Sequence, residues 1–366
     1  MSAPIGERPI LINDFENVEY SFASESVKGM SATASNITLN TYIYVPDSYM
    51  SDVIWNLAGV LPSWIPNIFV LIIGCFGSIK GRFKHSIIGM TASQFYATVF
   101  QSILYFGYLY LNQAKIPITV LACSIPRRLL QQTITPALMS ILVISIDRYL
   151  SIICGYTLTK AKLFILFLIP FIYAHFVYNS LTIFPFEIGT SDMCGPCLSM
   201  PKKYSKFLEP ITPVTLIIAI LLNIRILIFL HHYHTNKRAL NTFSPKELKD
   251  TKKAMMGVTL QACIPMLFSM PQVINLAMYN IDSAIRMPKS FWVVINFLNY
   301  FSLCLNPLVT MLYVKQFRIA TVKFLKNGKL VTGNSVHEFT AVAAATQNTN
   351  IRRSIITITP TISICQ

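Results

Sequence analysis

Ile144-Ser145-Ile146-Asp147-Arg148-Tyr149-Leu150 closes an apolar run that begins near residue 121. An acid and a base stand side by side at the end of a stretch long enough to cross a bilayer. Asp147 apart, the comparable runs elsewhere are essentially free of acids. A charge at mid-bilayer costs about 2.5–3.5 kcal/mol on insertion scales, and less near an interface. Such a pair at the boundary reads as a latch that holds or releases polar groups on neighbouring helices. The plainer reading is an interfacial anchor.

Outward from that run, the rest of the chain repeats its pattern. A hydrocarbon core about 30 Å thick takes about 20 apolar residues in a helix. Charge-poor runs of that length fall at roughly 53–79, 86–111, 121–153, 163–184, 207–230, 254–280 and 291–314, spans one to seven. Composition agrees: 53% of residues are apolar and 12% charged, with a mean hydropathy of +0.53. A soluble domain carries about 25% charged residues, so lipid is the expected solvent. The expected fold is an all-α membrane protein, a seven-transmembrane helix bundle over 53–314. Residues 1–52 form an N-terminal segment outside it and 315–366 a tail. Proline lies in or near every span but the second, at Pro62, Pro66, Pro136, Pro170, Pro213, Pro265, Pro271 and Pro307. In a membrane bundle the carbonyls that proline frees are re-satisfied by neighbouring helices or water.

Charge sets the orientation. Segments 80–85, 154–162, 231–253 and the tail after 314 hold eighteen Lys and Arg against three acids, a net +15. The segments on the opposite side hold ten basic residues and eleven acids, a net −1. The positive-inside rule then places the N-terminus outside the cell and the tail inside. The basic excess lies where it meets anionic lipid or a protein, so the bilayer is the expected partner and nucleic acid is not. Residues 1–52 lack the basic and apolar regions of a cleaved signal, which makes span one an expected signal-anchor. Asn36-Ile37-Thr38 is a glycosylation sequon on the expected outer side.

Candidate chemistry is sparse. There is no phosphate loop, nucleophile elbow or zinc helix motif, so no enzyme, cofactor or metal site is expected. His231, His232 and His234 cluster after span five without further ligand-spaced residues. Cys194-Gly195-Pro196-Cys197 has redox-pair spacing, but sits in a loop rather than at the start of a helix. Cys123, at the outer end of span three, faces that loop. A disulfide from Cys123 to Cys194 or Cys197 would tie the two together. Arg127 and Arg128, beside Cys123, either line an acid-attracting ligand cavity or mark the interface. Arg225 is expected to snorkel to the nearer surface.

Seven spans, Asp147-Arg148-Tyr149 and the loop cysteines together resemble a G-protein-coupled receptor. The chain departs from the rhodopsin-like pattern in three places. No acid stands near Ser93 in span two, and Leu260-Gln261-Ala262-Cys263-Ile264-Pro265 lacks a tryptophan before its proline. Asn306-Pro307-Leu308-Val309-Thr310 has Thr310 in place of tyrosine, with Tyr313 three residues later. Gln261, Pro265 and Pro271, followed by Asn306-Pro307 and Val314-Lys315-Gln316-Phe317-Arg318, resemble the nematode serpentine chemoreceptors of the Str and Srd type, over roughly 53–326. The resemblance implies activation and G-protein coupling through Asp147, Arg148, Tyr149, Asn306, Pro307 and Tyr313. It implies a helix kink at Gln261 and Pro265, a small-molecule or peptide ligand, and a heterotrimeric G protein as partner. Its setting is the plasma membrane, a sensory cilium included. A transporter or channel is the alternative, but no internal repeat or midplane polar relay supports one. After span seven, Lys315, Arg318, Lys323 and Lys326 interleave with Phe317, Val322, Phe324 and Leu325, the pattern of a short amphipathic helix on the membrane surface.

The charge asymmetry makes a topology prediction. Epitope tags at Met1 and Gln366 are expected to be accessible from outside and inside the cell respectively. Both ends on one side contradicts seven spans.

Overall fold

The computed structural model describes residues 38–77, 79, 83–184, 187–191, 194–239, 256–257, 259–261, 263–271, 274 and 288–327. The sequon at Asn36 and the tail beyond Asn327 lie outside the described residues. Five helical stretches among them are long and apolar enough to cross a membrane: Asp47–Phe76, Val120–Ile152, Lys160–Ile183, Lys203–Tyr233 and Ser290–Tyr313. They coincide with spans one, three, four, five and seven. Span six is described only in part, with 259–261 and 263–271 helical. Span two is a continuous 30-residue helix, Lys84–Gln113. It falls outside the five because its inward face is polar: Ser86, Thr91, Ser93, Gln94, Thr98, Gln101 and Ser102 are all buried.

Two of those buried polar groups, Thr98 and Gln101, sit where a neighbouring span is interrupted. Span one is two helices, α1 (Met50–Val60) and α2 (Trp64–Phe76), joined by a 3₁₀ turn at Leu61–Ser63 that contains Pro62. Ser63 Oγ donates to the Val60 carbonyl at 2.5 Å and shares a hydrogen bond with Thr98 of α3 (Lys84–Gln113) at 2.8 Å. Span three was expected as one run, but it breaks into α4 (Val120–Gln131) and α5 (Ile134–Ile152). A break leaves the last carbonyls of one helix without helical donors. Gln101 Nε2 of α3 supplies the donor, at 2.8 Å from the Leu130 carbonyl, 3.1 Å from that of Gln131 and 3.1 Å from Thr133 Oγ1.

The prolines of spans four and seven follow the same logic. Span four is α6 (Lys160–Ile172), a π-helical turn at Tyr173–Tyr178 and α7 (Asn179–Ile183). The π turn starts three residues after Pro170, where the regular ladder has already lost a donor. His175 in that turn meets the Tyr96 hydroxyl at 3.0 Å. Span five comprises α8 (Lys202–Leu208) and α9 (Ile211–Ala239), and span seven is α10 (Lys289–Tyr313). In α10, Pro307 has no N–H to give the Leu303 carbonyl. Asn67 Nδ2 of α2 donates there at 3.1 Å and also to the Ser63 carbonyl at 2.8 Å.

Helix approach depends on small residues at two crossings. A Cβ on Gly89 of α3 would lie 2.4 Å from the Phe167 ring of α6, and one on Gly59 of α1 would lie 2.9 Å from the Phe297 carbonyl of α10. Apolar side chains such as Phe164, Phe176, Leu221 and Ile228 point outward from spans four and five, as a lipid-facing surface requires. Arg225 is exposed on the same outer surface of α9. After an extended residue at Val314, α11 (Lys315–Asn327) turns away and seats Phe317 among Val70, Ile73, Ile79 and Ile87. Lys315, Phe317 and Phe324 therefore belong to a helix anchored at the Arg148 end of the bundle.

The other end carries two small antiparallel sheets that the helical reading did not anticipate. β1 (Tyr42–Ile43) pairs with β2 (Ile118–Thr119), and β3 (Glu187–Ser191) pairs with β4 (Gly195–Ser199) in a hairpin between spans four and five. An ion pair between Lys115 and Asp47 at 2.5 Å holds the first sheet's approach to α3. Asn112 Nδ2 adds donors to Asp47 at 2.7 Å and the Val45 carbonyl at 2.8 Å.

Gln101→Leu preserves volume and removes the donor shared by three acceptors. Thr133 still donates to the Leu130 carbonyl, so the loss falls mainly on the Gln131 carbonyl, and stranding one such buried group costs about 1–3 kcal/mol. The purified variant is expected to melt several degrees below the parent, whereas an unchanged melting temperature contradicts this account of the break.

Candidate functional site

At the end of α5, Asp147 and Arg148 are both buried, 6% and 5% exposed. No ion pair joins them; adjacent helical residues point about 100° apart and do not face each other. Asp147 instead accepts a hydrogen bond from the Ser86 hydroxyl in the first turn of α3. Arg148 Nη2 donates to Gln261 Oε1 at 2.7 Å, bridging span three to span six. Gln261 Nε2 donates in turn to Thr310 Oγ1 of α10 at 2.6 Å, and Thr310 donates to the Asn306 carbonyl at 3.1 Å.

One chain of hydrogen bonds thus crosses three helices, and every member is buried. A hydrogen bond to a charged group is worth about 1.5–3 kcal/mol net, and loss of one partner strands the other in a low-dielectric interior. Nearby, Asn223 Nδ2 of α9 donates to Ser145 Oγ at 2.8 Å, and brings span five to the same place. Met90, Ile141, Ile144, Ser145, Arg148, Asn223 and Gln261 surround a small cavity at this junction.

The remaining residues singled out at this end are arranged around that chain. Tyr149 is half-buried. Tyr313 packs against span six at Gly257, where an added Cβ would approach to 2.6 Å. Asn306 is 1% exposed one residue before Pro307. Gln261 and Pro265 were expected to mark a kink. Proline at 265 does deprive the Gln261 carbonyl of its helical donor, while the Gln261 side chain is the acceptor for Arg148.

At the opposite end, Cys123 of α4 is bonded to Cys194, with 6.0 Å between their Cα atoms. Cys197 is a free, buried thiol. The redox-pair spacing of Cys194 and Cys197 therefore does not form a bond between those two, and Gly195–Ser199 is a strand rather than a helix. Arg127 Nη1 donates to Cys197 Sγ at 3.3 Å, Arg128 Nε to the Leu198 carbonyl at 2.7 Å and Arg128 Nη2 to Cys197 Sγ at 3.8 Å. Both arginines dock the hairpin on α4. Behind them, the Tyr105 and Tyr300 hydroxyls meet at 2.5 Å across α3 and α10.

Ser86, Asn67, Gln101 and Asn223 were not singled out from the sequence. A signal for some was present: Gln94, Thr98, Gln101 and Ser102 recur at helical spacing in span two, a polar stripe inside an apolar run.

Residues 202–323 match the family described as serpentine type 7TM GPCR chemoreceptor Srd. No curated protein matches the chain in sequence. Among solved structures, the crystal structure of squid rhodopsin is similar at a TM-score of 0.57 and 14% identity, covering 80% of this chain and 89% of that one. The structural likeness shows a shared fold, and the family match covers spans five to seven with most of the helix that follows. Over residues 202–323 the chain is similar to the Srd chemoreceptor family, and as a whole it shares the helical membrane fold of squid rhodopsin.

Proposed function

We propose that the chain is a chemosensory receptor of the plasma membrane, with its N-terminus outside and a heterotrimeric G protein as its inner partner. The observation that carries the reading is the hydrogen-bond chain Arg148–Gln261–Thr310–Asn306. It joins Gln261, one of the residues that carry the Str and Srd resemblance, to Thr310, which stands in place of tyrosine, and couples both to Arg148. A ligand held toward the Cys123 end shifts the bundle between a form with this chain closed and one with it open. Ligand binding does so only by favouring the open form. In the open form, Arg148 and the basic inner segments face the G protein. Asp147, Tyr149, Pro307 and Tyr313 support the closed form through Ser86, the α5 end and the α10–span six contact. A small molecule held between the helices is the favoured ligand, in keeping with the similarity of residues 202–323 to a chemoreceptor family.

Two substitutions test this reading. Arg148→Ala is expected to reach the cell surface and lose G-protein activation. Arg148 lies twenty residues, or about 30 Å along a helix, from Arg128, too far to touch a ligand at that end. Gln261→Leu keeps the volume and removes the acceptor. Losing a bond worth about 1.5–3 kcal/mol in the closed form alone favours the open one by about 10- to 100-fold, so basal signalling is expected to rise. Surface expression is measured in parallel. An Arg148→Ala protein that signals normally, or a surface-expressed Gln261→Leu protein with unchanged basal activity, contradicts the lock.

A further inference from the structure

We propose that Cys197 is a second partner for Cys123, so that the covalent tie between α4 and the β3–β4 hairpin passes from Cys194 to Cys197 by thiol–disulfide exchange. Cys123, Cys194 and Cys197 are each 1% exposed and belong to one packed cluster with Leu104, Tyr105 and Tyr108. The Tyr108 hydroxyl lies 3.6 Å from Cys194 Sγ and 3.8 Å from Cys123 Sγ. Cys197 Sγ accepts at 3.3 Å from Nη1 of Arg127, four residues after Cys123 on α4.

The docking of the hairpin points to the same exchange. Its backbone is fastened to α4 at residue 198, beside Cys197: the Leu198 N–H donates to Ser124 Oγ at 3.1 Å, and its carbonyl accepts from Arg128 Nε at 2.7 Å. Arg127, whose guanidinium reaches Cys197 Sγ, lies four residues after Cys123 and so on the same face of α4. Cys197 is thus held by neighbours of Cys123 on the turn of helix that carries it. Moving the bond leaves these fastenings in place and frees Cys194.

The step balances without an external oxidant. Cys197 gives up its proton, and its thiolate attacks Cys123 Sγ. The Cys123–Cys194 bond breaks, and Cys194 leaves as a thiolate that takes up a proton. One sulfur–sulfur bond forms as one breaks. Two guanidinium groups face the sulfur that bears the negative charge during the attack.

The full-length protein, equilibrated in a buffer of reduced and oxidised glutathione, is quenched in acid, denatured and alkylated with N-ethylmaleimide. Mass-spectrometric fragmentation then places the alkylated cysteine. The expected result is two populations, Cys123–Cys194 with alkylated Cys197 and Cys123–Cys197 with alkylated Cys194. In cells, where small disulfides of the secretory compartment supply oxidant, Cys194→Ser is expected to form Cys123–Cys197 and reach the surface. The double variant Cys194→Ser/Cys197→Ser is expected to lose most of that delivery. Wild-type protein in which Cys197 is always alkylated, or pairs only with Cys194 or glutathione, overturns the proposal. Cys194→Ser at the surface with a free Cys123 thiol overturns it too. Should that variant stay inside the cell, the wild-type measurement decides.

Discussion

A guanidinium buried between helices must have an acceptor, and in this protein the acceptor of Arg148 is a neutral amide on another span. That constraint organises one end of the bundle. Gln261 has both an acceptor and a donor, so satisfying Arg148 leaves its Nε2 to find a partner in turn, which Thr310 provides. Thr310 then completes itself on the Asn306 carbonyl one turn earlier. Asp147, pointing a different way around α5, is tied separately to Ser86. Spans two, three, six and seven are thereby joined by side chains that cannot be released singly at low cost.

The same principle explains the irregular backbone elsewhere. At two places where the helical ladder fails, a polar side chain from another span is set against it: Gln101 at the break between α4 and α5, and Asn67 at the carbonyl freed by Pro307. In the turn that contains Pro62, Ser63 itself caps the Val60 carbonyl. Water is not available in the bilayer core to fill these positions, so the bundle's own side chains do. The cost is a second span less apolar than its neighbours, with its polar stripe turned inward.

Much of this was legible in the sequence, and the rest was hidden for physical reasons. The spans showed because lipid demands long charge-poor runs. The break at Gln132 and Thr133 did not, because Gln131, Gln132, Thr133 and Thr135 are uncharged, so the run stays charge-poor through it while the hydrogen-bond geometry changes. A disulfide at Cys123 could be anticipated, yet spacing of three residues in a hairpin left Cys194 and Cys197 equivalent until the strands were in register. Arg127 and Arg128 were equally ambiguous between ligand and structure; their donors turn out to dock the hairpin. Arg148 was visible as an exceptional charge, but its partner lies 113 residues away. Gln261 stood out only as part of a family resemblance, and Thr310 only as a departure from the rhodopsin-like pattern. That the two satisfy each other is a property of the fold, which no single position reports.

The central claim is that the Arg148–Gln261 hydrogen bond holds spans three and six together at this end of the bundle. Spin labels on cysteines substituted at the exposed residues Tyr156 and Met256 would measure the separation of those spans by pulsed dipolar spectroscopy, with Cys75, Cys154, Cys263 and Cys365 replaced by serine. The comparison is between the parent and the same labelled protein carrying Gln261→Leu, in lipid nanodiscs without ligand. The account predicts a single short distance in the parent and a second, longer population in the variant. Superimposable distance distributions would contradict it.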